Sequence, residues 1–289
     1  MLRSFSRFLG VDLGGGRGKT TAIAELRMGP GGAEVIEVAT RSTDKQRWTD
    51  DTLFARLAAS DVASSDRVIA IDAALTATAC NRCTLPVCPG MEACEVPAVV
   101  WLRTTGRAIV QQVAAAAESI GATKASTSRV HLAAQARLAP YAHRATDVIT
   151  TYERGLLPIS QLGAANSAIT ARAHHLKKRL ASVGYTLHAN LLEVSPAATV
   201  TALCGSRVAR GYKHDADPWR TRAVILEQLS DLSFAPQSRM AREDVLGNDH
   251  CFDAVISAYS AYRWVKDGCP APDPLFAEDG WIYAPDTSA

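Results

Sequence analysis

The fold is decided by residues 8–39, which read FLGVDLGGGRGKTTAIAELRMGPGGAEVIEVA. Apolar and β-branched runs at residues 8–13, 20–27 and 33–39 are separated by two glycine-rich turns. Short runs of this kind, bounded by glycine and proline, predict β-strands. Because the connections between them are short, the three strands are expected to form an antiparallel meander.

A helix and a fourth strand follow this meander. Asp50 and Asp51 occupy the position of an N-terminal cap before a helical pattern that runs to about Ala59. The continuous apolar run Val68–Ile71 then predicts a buried strand, which a helical crossover would place parallel to the first. The order β-β-β-α-β predicts a mixed α/β sheet, since few folds join a three-strand meander to such a crossover.

The remaining chain predicts helices with two more strands. Helical spacing is found at residues 106–120, 126–141, 164–182, 219–232 and 248–265, and strand patterns at 188–194 and 280–284. With 289 residues, of which 47% are hydrophobic, the chain can bury the core of a single domain over residues 1–289. No run approaches the roughly 18 apolar residues of a membrane helix. The apolar start also ends too early for a signal peptide, so a cytoplasmic protein without a membrane partner is expected.

Charge is distributed unevenly along the chain. Residues 101–214 carry 14 Lys+Arg against 4 Asp+Glu, whereas residues 215–289 carry 6 against 13. A basic middle beside an acidic end is compatible with a polyanion-binding face next to a carboxylate metal site. The alternative is an ordinary solvated basic surface, and His174 to Arg179 would be part of it in either case.

Five acidic residues are candidates for a metal site. Asp12 and Asp72 each end an apolar strand pattern, where burial of a carboxylate is costly unless it is paired or binds a cation. Asp249 and Asp253 are four residues apart and share a face at the start of a long helix. Asp249 could equally be a helix cap, and Glu193, at the end of another apolar run, could equally pair with a buried arginine.

The segment Gly14–Lys19 resembles a phosphate-binding loop without matching one. Its sequence GGGRGK is followed by Thr20, but the first glycine of a P-loop would have to stand at Leu13. A hairpin with Gly14, Gly15, Gly16 and Lys19 could instead hold phosphate as in actin-like ATPases and sugar kinases, which also begin with a strand ending in Asp-x-Gly. The simplest alternative is a flexible β-turn.

Residues 78–100 form a cysteine-rich insertion. Cys80, Cys83, Cys88 and Cys94 lie within fifteen residues, separated by two, four and five others. Four thiolates at this density predict a zinc site or an iron–sulfur cluster, and the spacing does not decide between them. A redox disulfide pair and unligated thiols are the alternatives.

Several short motifs together resemble domain-of-unknown-function family 429. They occur in the order of the family: Gly10-Val11-Asp12, Ile71-Asp72, Glu193 to Pro196, Asp249 to Ala254, and Gly280 to Pro285. The resemblance spans most of the chain. It implies membership in a superfamily of predicted nucleases with an RNase H-like fold, whose acids bind Mg²⁺ or Mn²⁺.

The resemblance also implies roles for particular residues. Asp12, Asp72 and Asp253 match the acidic ligands of the superfamily, and Glu193 matches an acid of the family itself. Our leading interpretation is therefore a metal-dependent nuclease with nucleic acid as its partner. The alternatives are an actin-like ATPase or kinase that uses the glycine hairpin, and a non-catalytic nucleic-acid-binding module with a zinc or iron–sulfur centre. His250 is a candidate proton-transfer group in the nuclease.

Overall fold

A computed structural model describes most of the chain. The described residues are 5–15, 20–59, 63–119, 138–156, 167–238 and 242–286. Their strands form one mixed sheet in the order β6-β3-β2-β1-β4-β5-β7. The strands are β1 (Arg7–Asp12), β2 (Ala22–Gly29), β3 (Gly32–Ala39), β4 (Arg67–Asp72), β5 (Leu191–Val194), β6 (Leu232–Phe234) and β7 (Ile282–Tyr283).

Strand direction divides the sheet into two parts. β1, β2 and β3 pair antiparallel, as the short glycine-rich connections predict. β4 then pairs parallel to β1, β5 parallel to β4, and β7 parallel to β5. The predicted mixed α/β sheet with a three-strand meander is therefore confirmed.

Helices connect and cover these strands. They are α1 (Asp50–Ala58), α2 (Pro97–Trp101), α3 (Arg107–Ser119), α4 (Ala145–Val148), α5 (Ser167–Ala181), α6 (Pro196–Cys204), α7 (Ser206–His214), α8 (Pro218–Gln228), α9 (Arg242–Gly247), α10 (Asp249–Lys266) and α11 (Pro274–Asp279). Short π-helical turns follow α2 and α4. None of the described helices is both long and apolar enough to cross a membrane.

The structure corrects two of the predicted element boundaries and leaves most of a third element undescribed. Thr49 caps α1 through its side chain, while Asp50 and Asp51 lie in the first turn, where the helix dipole favours acids. The predicted helix 219–232 ends at Gln228, because residues 232–234 pair with β3 as the edge strand β6. The predicted helix 126–141 lies outside the described residues as far as position 137.

The sheet is covered on both faces. Leu9, Val11, Ile69 and Ile71 pack on one side against a cluster that includes residues of α1 and α5. Phe8, Val68 and Ala70 pack on the other side, mainly against α10. Side chains alternate between the faces of a strand, so the positions two residues beyond Gly10 and Ala70 project toward α10. Those positions are Asp12 and Asp72.

Gly10 lets α10 lie directly against β1. A Cβ atom at Gly10 would lie 2.0 Å from the carbonyl oxygen of Ala254 and 2.3 Å from the backbone nitrogen of Ala258. Only a residue without a side chain permits this approach. The close contact brings Asp253, the residue before Ala254, beside the ends of β1 and β4.

Candidate metal centre

Three of the five candidate acids converge at the ends of two adjacent strands. Asp12 and Asp72 are direct partners in the parallel register of β1 and β4, and each is the last residue of its strand. Asp253 reaches them from the second turn of α10. One carboxylate oxygen from each lies within 4.8 Å of the other two. Among the described residues, no other group of three or more His, Cys, Asp or Glu side chains brings its donor atoms this close together.

The electrostatics of this cluster favour a bound cation. Oδ1 of Asp72 and Oδ1 of Asp253 are buried and have no hydrogen-bond partner. Burial, followed by repulsion from Asp12 and Asp253, raises the pKa of Asp72 well above its usual value. Burial also raises the pKa of Asp253 to about 6, although Lys213 acts in the opposite direction. Buried carboxylates without partners are destabilising, and a divalent ion satisfies both their charge and their free oxygens.

Lys213 supplies part of the compensating charge. Its Nζ atom, at the end of α7, lies 2.5 Å from Oδ2 of Asp253. Burial lowers the pKa of Lys213, but attraction to Asp253 outweighs this effect and the net shift is upward, so the ammonium stays charged. Tyr212 also hydrogen-bonds to Asp253. Lys213 was not predictable from the sequence, because no motif surrounds it and only the packing of two separate helices brings it to the acid.

His250 lies at the exposed side of the centre. Its Nδ1 atom is 2.6 Å from Oδ2 of Asp12, and its side chain is 42% exposed. The hydrogen bond to Asp12 is the main cause that raises the pKa of His250. The side chain can therefore hold a proton beside Asp12 while its other ring nitrogen is free to face solvent or a ligand.

Glu193 has a different partner from the three aspartates. Both of its carboxylate oxygens accept hydrogen bonds from the buried guanidinium of Arg144, with Nη1 at 2.8 Å from Oε2. The backbone N–H of Leu75 donates to the same Oε2 at 2.9 Å. Arg144 also pairs with Asp147. The geometry thus gives Glu193 the arginine-pairing role that the sequence analysis held open, and leaves it outside the cluster of three.

Asp249 also lies outside the cluster. Asn248, not Asp249, caps α10 by accepting from the backbone N–H groups of His250 and Cys251. Asp249 Oδ1 accepts from the backbone N–H of His250 at 3.1 Å, within the first turn. An acid is favoured in this position by the helix dipole alone.

Replacing Glu193 by glutamine tests the separation of these roles. The Glu193→Gln variant should lose about 2 kcal/mol in its free energy of unfolding, because Arg144 keeps Asp147 but faces an uncharged amide where it had a carboxylate. Its affinity for Mn²⁺ should stay close to that of the wild type. Urea denaturation and calorimetric Mn²⁺ titration measure the two effects. A large loss of Mn²⁺ affinity at unchanged stability would instead make Glu193 a ligand.

The described part of the glycine hairpin is occupied by contacts within the protein. The backbone N–H of Gly14 donates to Oγ1 of Thr21 at 3.0 Å, and its carbonyl accepts from Arg172 on α5 at 2.8 Å. Gly15 packs beside Ile169 of the same helix. Gly16 and Lys19 lie outside the described residues. Phosphate binding by this hairpin therefore stays a prediction.

The four clustered cysteines lie in one region of the surface and form no disulfide. Cys80, Cys83 and Cys88 are exposed and Cys94 is buried. All four line a single cavity of about 260 Å³.

Comparisons with known proteins give one match. Residues 10–275 match the model of a family described as "Protein of unknown function (DUF429)", which confirms the family resemblance found in the sequence. No curated protein and no solved structure matches the chain. The matched range includes the three aspartates, Lys213, His250 and the cysteine-rich segment.

Proposed function

The chain belongs to the DUF429 family, and from that premise we propose that it is a metal-dependent nuclease that hydrolyses phosphodiesters of nucleic acid. One observation carries the proposal: Asp12, Asp72 and Asp253 converge, with two of their carboxylate oxygens buried and unpartnered. The sheet supports it as well. A three-strand meander flanked by the parallel strands β4 and β5 is the arrangement that an RNase H-like nuclease requires.

The three aspartates would hold Mg²⁺ or Mn²⁺ in this proposal. Both ions prefer carboxylate oxygens and keep positions for water and substrate phosphate. Bound there, divalent ions would stabilise the developing charge on the phosphate and supply a hydroxide nucleophile.

Two side chains of the protein itself would assist. Lys213 neutralises Oδ2 of Asp253 and so lets this buried acid stay ionised. His250 holds a proton beside Asp12 at the exposed side of the centre, where it could deliver that proton to a leaving oxygen. The two residues thus balance charge and move a proton without being ligands.

Basic residues near the hairpin give a partial binding surface for the nucleic-acid backbone. On α5, Arg172 and Arg179 are neutralised by Asp50 and Asp51 of α1. Lys178 and His175 of the same helix are exposed. Contacts from such residues to phosphate give salt-dependent affinity without sequence preference.

The test is hydrolysis of single- and double-stranded DNA and RNA by the purified protein with Mg²⁺ or Mn²⁺. We expect cleavage that EDTA abolishes, that Asp12→Asn abolishes, and that Asp249→Asn, a matched acid outside the cluster, leaves unchanged. Metal binding without cleavage of any substrate would contradict the nuclease and favour a non-catalytic nucleic-acid-binding module. Cleavage retained by Asp12→Asn would contradict the assignment of the site. The ATPase alternative stays a prediction, because Gly14 is bonded within the protein while Gly16 and Lys19 lie outside the described residues.

The raised carboxyl pKa values predict a characteristic pH dependence without metal. The pKa of Asp253 rises from 3.8 to about 6 on folding, so between these values the native protein binds more protons than the unfolded chain. The stabilisation that protonated Asp253 contributes is therefore fully present below about pH 4 and is lost as the pH rises through about 6. The raised pKa of Asp72 extends the decline upward.

This decline can be measured by urea denaturation at a series of pH values in EDTA. The slope should be smaller in Asp253→Asn, in which that group no longer titrates, and Mg²⁺ should restore stability to the wild type at pH 8. Identical slopes for the two proteins would contradict a raised pKa at Asp253.

A further inference from the structure

A second site lies in the cysteine-rich segment, and neither the proposed nuclease nor its metal centre uses it. We propose that Cys80, Cys83, Cys88 and Cys94 bind a [4Fe–4S] cluster, each thiolate on a different iron. The proposal does not rest on the nuclease function, and it decides between the zinc ion and the iron–sulfur cluster that the sequence left open.

The four thiols share one cavity. It measures about 260 Å³, and its other lining residues are mostly apolar side chains: Ala79, Leu85, Pro89, Met91, Val96, Val99 and Pro140. A single zinc ion closed by four thiolates has its ligands packed directly around it and leaves no such space. A cluster of several iron and sulfide atoms fills a cavity, and its sulfides pack well against apolar walls.

The spacing of the sulfur atoms distinguishes a zinc ion from a cluster. In a tetrahedral zinc site with Zn–S distances near 2.3 Å, any two thiolates lie about 3.8 Å apart. Any three cysteines arranged in that way would have all their sulfurs within 4.8 Å of one another. Of the described residues, which include all four cysteines, the three aspartates alone form such a group. No three of the four thiols are therefore gathered at the spacing of a closed zinc site, whereas a [4Fe–4S] cluster with one thiolate on each iron holds its ligands farther apart.

The fold itself holds the cysteine-rich segment in place. Nη1 of Arg103 donates to the carbonyl oxygens of Met91, Glu92 and Cys94 at 2.8, 2.8 and 2.9 Å. The backbone N–H of Cys80 donates to the carbonyl of Pro140 at 3.2 Å. A structural zinc ion usually supplies the energy that orders its own loop, whereas these ligands are positioned by an arginine and by backbone bonds.

Two arginines fasten the segment to the rest of the protein. Arg82 lies between Cys80 and Cys83 in sequence and is anchored to Asp279 at 2.9 Å, while Arg103 binds the loop that carries Cys94.

The proposal is tested on the full chain purified without oxygen, and on the same protein reconstituted with sulfide and equal amounts of ferrous and ferric iron, which matches the oxidation level of the 2+ core. We expect about four iron and four acid-labile sulfide per chain, with a broad absorption band near about 400 nm. In parallel, the metal-free protein is titrated with zinc chloride. About one tightly bound zinc per chain, with no iron and sulfide taken up, would overturn the proposal, and so would binding of neither.

Two serine variants make the assignment specific to the segment. Cys88→Ser replaces an exposed ligand, so the fold should persist by circular dichroism while the absorption band and most of the iron are lost. Cys204→Ser replaces a cysteine on α6, outside the cavity, and should keep the wild-type iron content. Full iron content in Cys88→Ser would overturn the proposal. Asp12→Asn should also keep its cluster, so a failure of the nuclease can be distinguished from a failure of this site.

Discussion

Replacing Gly10 with alanine should lower the free energy of unfolding by about 3 kcal/mol or more. The added Cβ would lie 2.0 Å from the carbonyl oxygen of Ala254 and 2.3 Å from the nitrogen of Ala258, and both are backbone atoms that no rotamer change can move. Either α10 must shift away from β1 or the variant must unfold. A shift would also move Asp253 from Asp12 and Asp72, so metal binding should weaken in any Gly10→Ala protein that folds.

Gly31→Ala is the matched control for this prediction. A Cβ atom at Gly31 meets nothing within 4 Å, and its stability should stay within about 0.5 kcal/mol of the wild type. Urea denaturation of the three proteins in parallel measures both effects. Equal stability of Gly10→Ala and Gly31→Ala would show that α10 does not lie as close to β1 as described.

Asp72→Asn should have opposite effects on stability and on activity. Burial and the neighbouring acids make the ionised Asp72 unfavourable in the metal-free protein. The neutral amide removes this repulsion and can donate to the carboxylates of Asp12 and Asp253. At pH 8 in EDTA, we therefore expect Asp72→Asn to be more stable than the wild type by about 1–3 kcal/mol.

Asp72→Asn should also abolish the proposed cleavage of phosphodiesters. Loss of one of three carboxylate ligands should lower metal-dependent phosphodiester cleavage by about a thousandfold or more, in line with the role of such ions in catalysis. Mg²⁺ should no longer raise the melting temperature. Unfolding curves in EDTA and cleavage rates in Mn²⁺ provide the two measurements. A variant that is less stable than the wild type and equally active would contradict both parts of the account.

The sheet was largely predictable from the sequence because its signals are local. Glycine-rich turns delimit the meander strands, and the run Val68–Ile71 can only be a buried strand or a short piece of buried helix. β6 was not predictable, since residues 232–234 follow a helical pattern directly and become a strand only by pairing with β3. Its formation depends on tertiary contact rather than on local preference.

The candidate site was predictable in part for a similar reason. Asp12 and Asp72 are acids at the ends of apolar strands, a local pattern that signals a buried charge with a partner. Lys213 and Arg144 carry no such pattern, and their roles depend on packing between distant segments. Glu193 shows the same limit: the pattern correctly indicates a buried acid, and only the position of Arg144 reveals its partner.

The central claim is that Asp12, Asp72 and Asp253 form a divalent-cation site, and calorimetric titration with Mn²⁺ tests it most directly. The metal-free wild type should show saturable binding at pH 7.5, with affinity reduced at least about tenfold in Asp72→Asn and Asp253→Asn. Glu193→Gln and Asp249→Asn should bind as the wild type does. Absence of binding to the wild type, or undiminished binding by both Asp72→Asn and Asp253→Asn, would contradict the claim.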